Sequence, residues 1–201
     1  MNQPTQMTLA EFTAALASAA PTPGGGGASA LVGAQAVALA QMVAELTLKN
    51  ERYADAHEAM QAVREEAEGL RAEILSYIQK DADAFGALVT AWRLPKDDPS
   101  RAERNEAATR AAAEVPLALA EACARIFPLA AQVLAKGVAS ARSDGELAVL
   151  FAAAAIRGAL YNVRINIKNM PENEYTKLLI TRQKTLETQA EQAERELLGR
   201  G

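Results

Sequence analysis

The sequence predicts an all-α fold, a single helical domain over residues 1–201, and two observations predict it. The first is composition. Half of the 201 residues are hydrophobic, yet only 4% are aromatic and 46 are alanine. Alanine is the best helix former and adds little bulk to a packing face, so such a chain builds closely approaching helices. The second is spacing. Apolar residues recur in steps of three and four, the signature of a helical stripe, and no segment alternates as a strand does. No repeat, low-complexity tract or linker divides the chain, and its length is within reach of one core.

The elements follow in order. Thr8 and Glu11 have capping-box spacing and open a short helix over about 9–18. The segment 19–27 (APTPGGGG) reads as irregular and is the clearest break. A helix over about 28–48 is apolar on nearly every side, which predicts burial all round. A long helix over about 54–92 carries the stripe Met60, Val63, Ala67, Leu70, Ile74, Tyr77, Ile78, Phe85, Leu88 and Trp92, with a break allowed near Lys80. Pro95 and Pro99 stop it. Helices over about 101–113 and 115–136 come next, with Pro116 starting the second or kinking a continuous one, Pro128 bending it and Gly137 capping it. Ser143 and Glu146 have capping-box spacing before a helix over about 145–168. A last helix, about 172–198, turns Tyr175, Leu179, Leu186, Ala190, Ala193 and Leu197 inward. Several helices are apolar on more sides than one small bundle can cover, which predicts a two-fold homodimer.

Composition also excludes. A net charge of −4 without a basic cluster argues against nucleic acid as a partner. One cysteine, Cys123, excludes an internal disulfide and fits a reducing, cytoplasmic setting; the N-terminal residues carry no secretory pattern. The stretches 28–48 and 145–167 approach membrane-spanning length, but Glu45, Arg157 and Arg164 inside them favour buried soluble helices, so no membrane is expected. His57, expected at the surface, is the one histidine, so no metal site and no Ser–His–Asp arrangement is expected. Chemistry is left to carboxylates, amides, lysines and water.

Three constellations could carry it. Residues 21–27 (PTPGGGG) place unshielded backbone N–H groups beside a helix start, a seat for an anion or a flat ligand, or else a close helix approach. Asp81 falls on the buried stripe, one turn after Ile78 and before Phe85. Burial disfavours a carboxylate's charged form, which suits a general acid/base, although a buried Asp paired with an Arg fits the pattern too. Asn162, Asn166 and Asn169 share one helix face, where amides either bond between helices or read the edge of a heterocycle. Asp144 is an N-cap or an acceptor for an aminopyrimidinone.

Taken together, PTPGGG (21–26), MVAELTLKN (42–50), DADAF (81–85), RLPK (93–96), SD (143–144) and NVRIN (162–166) resemble the cyclodeaminase/cyclohydrolase family of folate enzymes. That family comprises the C-terminal half of formiminotransferase-cyclodeaminase and its stand-alone bacterial relatives. The resemblance runs through nearly the whole chain in order. It implies a dimeric all-α fold and chemistry at the carbon bridging N5 and N10 of tetrahydrofolate, a folate substrate with no further cofactor. It makes Asp81 the active-site aspartate of a D-x-x-A-F/Y motif completed by Ala84 and Phe85. By extension Gly24, Gly25 and Gly26 lie against the ligand, Asp144 with Asn162 or Asn166 near the pterin, and Lys49 or Arg142 at the glutamate tail. The chain departs from the pattern at Gly27, usually Ser or Thr, and at Ser140, often Asn. A silent folate-binding protein or a purely structural helical protein is the alternative.

Overall fold

The computed structural model describes residues 4–168 and 170–199. Seven α-helices follow a short 3-10 turn: α1 (Leu9–Leu16), α2 (Gly25–Leu48), α3 (His57–Trp92), α4 (Arg101–Ala124), α5 (Ile126–Lys136), α6 (Arg142–Ile167) and α7 (Glu174–Leu198). Further 3-10 turns lead into α3 and α6, and no strand occurs among the described residues. The most extensive packing is of α2 on α3 and on α6, and of α4 on α6 and on α3, a four-helix core with α5 and α7 added outside. One hydrophobic cluster runs through it, from Ala30, Val37 and Ala44 to Leu70, Ile74, Leu117, Ile156 and Leu160.

Small residues let the helices close up. A Cβ on Gly33 would stand 2.6 Å from Cys123 Sγ and 3.2 Å from Ile74. The pairs α2–α6 and α2–α3 are antiparallel. Gly25 adjoins Asn162 at one end of the former, and Val138 N–H donates to Thr47 Oγ1 at the other (2.9 Å). Arg64 early in α3 meets Glu45 late in α2.

Several boundaries differ from the sequence expectation. The Thr8–Glu11 capping box is present, but α1 stops at Leu16. Gly25, Gly26 and Gly27 belong to the first turn of α2, because tertiary contacts hold a conformation that glycine propensity disfavours. α3 runs through Lys80 without a break, and its buried stripe passes from Ile78 to Ala84, Leu88 and Ala91, leaving Phe85 and Trp92 exposed. Pro116 sits inside α4, and the chain turns at Arg125 instead, which puts Pro128 in the first turn of α5. The Ser143–Glu146 capping box does not form, since both residues lie within α6 and Glu146 instead accepts from Arg142. His57 is half-buried, near the Asn50 carbonyl. Asn169 lies outside the described residues. Among the described residues three helical stretches (Gly25–Leu48, Arg101–Lys136 and Ala139–Ile167) are long and apolar enough to cross a membrane by length and composition; here they pack on one another.

Candidate functional site

The site forms where α2 begins. At that level α3 passes by and continues, so the glycines of α2 meet the middle of a neighbouring helix. Gly27 N–H donates to Asp81 Oδ2 (3.2 Å), and Oδ1 has no hydrogen-bond partner among the described residues. A side chain on Gly26 would overlap the Asp81 carboxylate, and one on Gly25 would touch the Asn162 amide at 3.5 Å. The glycines thus act through absent side chains and free N–H groups at the positive end of a helix. Gly24 is the N-cap of α2.

Asp81 projects into a cleft of about 250 Å³. Burial pushes its carboxyl above the ordinary value of 3.8, and the Gly27 hydrogen bond pulls back against that shift. The opposite wall is the C-terminal end of α6. Asn162 Nδ2 donates to Gly158 O (2.9 Å) and Asn166 Nδ2 to Ala112 O (2.5 Å). With one N–H of each amide committed to the backbone, the carboxamide oxygens stay available as acceptors. Phe85, Leu88 and Ile165 supply apolar walls. None of the lining residues is Lys, Arg or His, so the cleft is acceptor-rich around one carboxylate. Such a pocket favours a positively charged or N–H-rich reacting group.

Of the residues singled out from sequence, the fold brings together Gly24, Gly25, Gly26, Asp81, Asn162 and Asn166. It does not bring Lys49, Arg142 or Asp144 to them within one chain. Lys49 caps the far end of α2, about 36 Å away at 1.5 Å per residue. Asp144 lies in the first turn of α6, about 27 Å from Asn162 by the same rise, and Arg142 beside it pairs with Glu146 (3.0 Å). Pro21 and Thr22, in the 21–27 stretch singled out from sequence, also line the cleft, whereas sequence reasoning missed Leu88, Ala112 and Ile165 as lining residues. Leu88, one turn past Ala84 on the stripe of Asp81, and Ile165, between the two asparagines, carried a signal. Ala112 carried none, since its place depends on how α4 crosses α6. Among the described residues no group of three or more His, Cys, Asp or Glu could hold a metal ion.

Comparison with known proteins places these features in context. Residues 8–185 match the family model described as formiminotransferase-cyclodeaminase. A methenyltetrahydrofolate cyclohydrolase from Methylorubrum extorquens is 38% identical over 172 residues, covering 84% of this chain and 83% of that protein. A formimidoyltransferase-cyclodeaminase from Sus scrofa is 32% identical over 171 residues, covering 83% of this chain but 32% of that protein, so the chain spans about a third of its length. The crystal structure of a formiminotetrahydrofolate cyclodeaminase from Thermotoga maritima matches with a TM-score of 0.87 at 27% identity, over 96% of both chains.

Proposed function

The chain belongs to the formiminotransferase-cyclodeaminase family, and on that premise we propose that it is a folate one-carbon enzyme with Asp81 as its acid/base. The reaction is hydrolysis of 5,10-methenyltetrahydrofolate, closure of 5-formiminotetrahydrofolate with loss of ammonia, or both. The observation that carries this reading is the half-buried Asp81, held by Gly27 N–H in an acceptor-rich cleft. The full-length similarity to a cyclohydrolase puts hydrolysis first.

The geometry supports the following chemistry. The methenyl carbon is cationic, and an ionised Asp81 in a cleft without competing cations stabilises it. Water attacks that carbon while the carboxylate takes its proton. The carbon–N5 bond then breaks as the new hydroxyl becomes the formyl carbonyl: N5 takes the bond's electrons and the proton held by Asp81, the hydroxyl proton passes to solvent, and the 10-formyl product is released. In ring closure N10 attacks the formimino carbon, and the same carboxyl carries the N10 proton to the departing ammonia. A carboxyl that burial raises above its ordinary value is a stronger base when ionised and still donates when protonated, which serves both reactions. Asn162 and Asn166 offer oxygens to pterin N–H groups, with Gly24–Gly26 against the ligand. We further propose a cytoplasmic homodimer that engages neither nucleic acid nor membrane.

The test is absorbance at the methenyltetrahydrofolate band with purified protein. Decay faster than in buffer, cut about 10²–10⁴-fold by Asp81→Asn, is the expected result. Growth of the band from 5-formiminotetrahydrofolate establishes the ring closure. A folded protein that changes neither signal overturns the enzyme reading and leaves a silent folate-binding protein.

A further inference from the structure

The cleft is smaller than the substrate proposed for it. Its volume of about 250 Å³ falls short of the range of about 300–1,000 Å³ usual for small-molecule sites. Tetrahydrofolate adds to its pterin an aminobenzoyl ring, an amide and a glutamate. Room for these lies along one face of the α3–α4 hairpin. From Asp81 the same face of α3 recurs at Phe85, Leu88 and Trp92, since eleven residues make about three turns. Phe85 and Leu88 line the cleft, and Trp92 lies about 17 Å beyond Asp81 along the axis. α4 runs back beside α3, with Ala108 and Ala112 against Leu88 and Ala91, and Arg101 Nε donating to Leu94 O (3.0 Å). From Ala112 in the cleft, the same face of α4 recurs at Asn105 and Arg101, about two and three turns away. One strip therefore leads out of the cleft, aromatic along its length and cationic at its end.

Three features of this strip point to a ligand. Phe85 and Trp92 are 37% and 56% exposed, rings left to solvent in a chain with one tryptophan and four phenylalanines. Asn105 has a buried carboxamide oxygen without a hydrogen-bond partner, a costly state for an amide. Arg101 makes no ion pair among the described residues, and its terminal nitrogens are uncommitted donors.

We propose that this strip seats the aminobenzoylglutamate half of the substrate: the aryl ring against Phe85 and Trp92, the amide at Asn105 and the carboxylates towards Arg101. This rests on the folate reading of the cleft. The charges match end to end. The cleft, with its one carboxylate, takes the cationic carbon, and the strip ends on a cation for the carboxylates. The length matches as well. From the bridging carbon through N10 and the ring to the outer carboxylate is about 13 Å at ordinary bond lengths, within reach of the Arg101 side chain.

Trp92 is the one tryptophan of the chain, so its fluorescence reports on the strip alone. Tetrahydrofolate is expected to quench it, and 6-methyltetrahydropterin, which lacks the aryl tail, to leave it unchanged. p-Aminobenzoylglutamate alone should quench it too, with an affinity about fivefold weaker in Arg101→Gln. With methenyltetrahydrofolate as substrate, Trp92→Ala should raise KM about 3–10-fold, the loss of one stacking contact, while kcat stays within about twofold. Trp92→Phe should recover most of that loss. Tetrahydrofolate that binds by equilibrium dialysis without altering Trp92 emission overturns the proposal. So does equal quenching by the tetrahydropterin, or a Trp92→Ala enzyme with wild-type KM. A protein that takes up no tetrahydrofolate loses the folate reading and the strip together. If tetrahydrofolate quenches Trp92 but neither folate is turned over, the enzyme reading fails and the subsite stands.

Discussion

Asp81 is a residue whose surroundings oppose its own charge. Burial raises its carboxyl above the ordinary value, and the single hydrogen bond from Gly27 offsets part of that rise. A carboxyl with a raised folded-state pKa binds its proton more tightly folded than unfolded. Its favourable contribution is therefore complete below 3.8 and is lost as pH climbs through the raised value. Asp81→Asn keeps an oxygen for Gly27 but cannot ionise, so it should unfold at a higher temperature than wild type at pH 7. The gap should close as pH falls below 3.8. Thermal unfolding at both pH values checks this; an equal gap at both would show that the carboxylate is not strained by burial. The glycines beside it are separable in the same way. Gly26→Ala thrusts a methyl group into the carboxylate and should cost about 100-fold in turnover by displacing it. Gly25→Ala only touches the Asn162 amide at 3.5 Å and should stay within a few-fold of wild type.

At the scale of elements, α3 shows what a sequence can reveal and what it withholds. Its period was legible, and so was the oddity of a carboxylate on the inward stripe. The exact face was not: past Ile78 the stripe runs through Ala84 and Ala91 rather than Phe85 and Trp92. The inward face there meets α4 through small side chains, with Leu88 and Ala91 clustered on Ala108 and Ala112, while Phe85 is left to the wall of the cleft. The turn at Arg125 was hidden for a related reason. Proline signals pointed to residues 116 and 128, yet Pro116 is accommodated within α4 and Pro128 needs no N–H in a first turn. The start of α2 was misplaced because four glycines look like a loop until a neighbouring helix is known. Its interior has a sharper constraint at Gly33, which presses against Cys123. Gly33→Ala gains helix propensity of about 1 kcal/mol but overpacks the core at a cost of about 1–3 kcal/mol, a net loss. In a Cys123→Ala background the same change should be neutral or stabilising. Urea denaturation of the two single variants and the double variant measures this coupling, and simple additivity would contradict the contact.

Across the whole molecule, the hairpin of α3 and α4 outreaches the bundle. α2 begins level with Asp81, whereas α3 runs on to Trp92. The overhang has its own small cluster of Leu88, Ala91, Ala108 and Ala112, separate from the main core. This explains why residue types picked out much of the cleft's lining but not the distances: Asp81 and Asn162 meet at one end of the bundle while Lys49 and Asp144 are at the other. Helix length alone fixes that separation. It also sets unequal local stability. Few buried contacts anchor the overhang, so it should open with a smaller free energy than α2 or α6. Yet Phe85, Leu88 and Ala112 from the overhang line the cleft. A ligand seated against Asp81 therefore binds the closed hairpin and not the opened one, and must stabilise it by mass action. Amide hydrogen exchange should be faster over 84–111 than over 30–44 or 148–160 in the free protein. Saturating folate should slow it over 84–111 while leaving the core helices nearly unchanged. Uniform exchange across all three segments would show that the overhang is no weaker than the bundle. Protection confined to other segments would remove the ligand from this cleft.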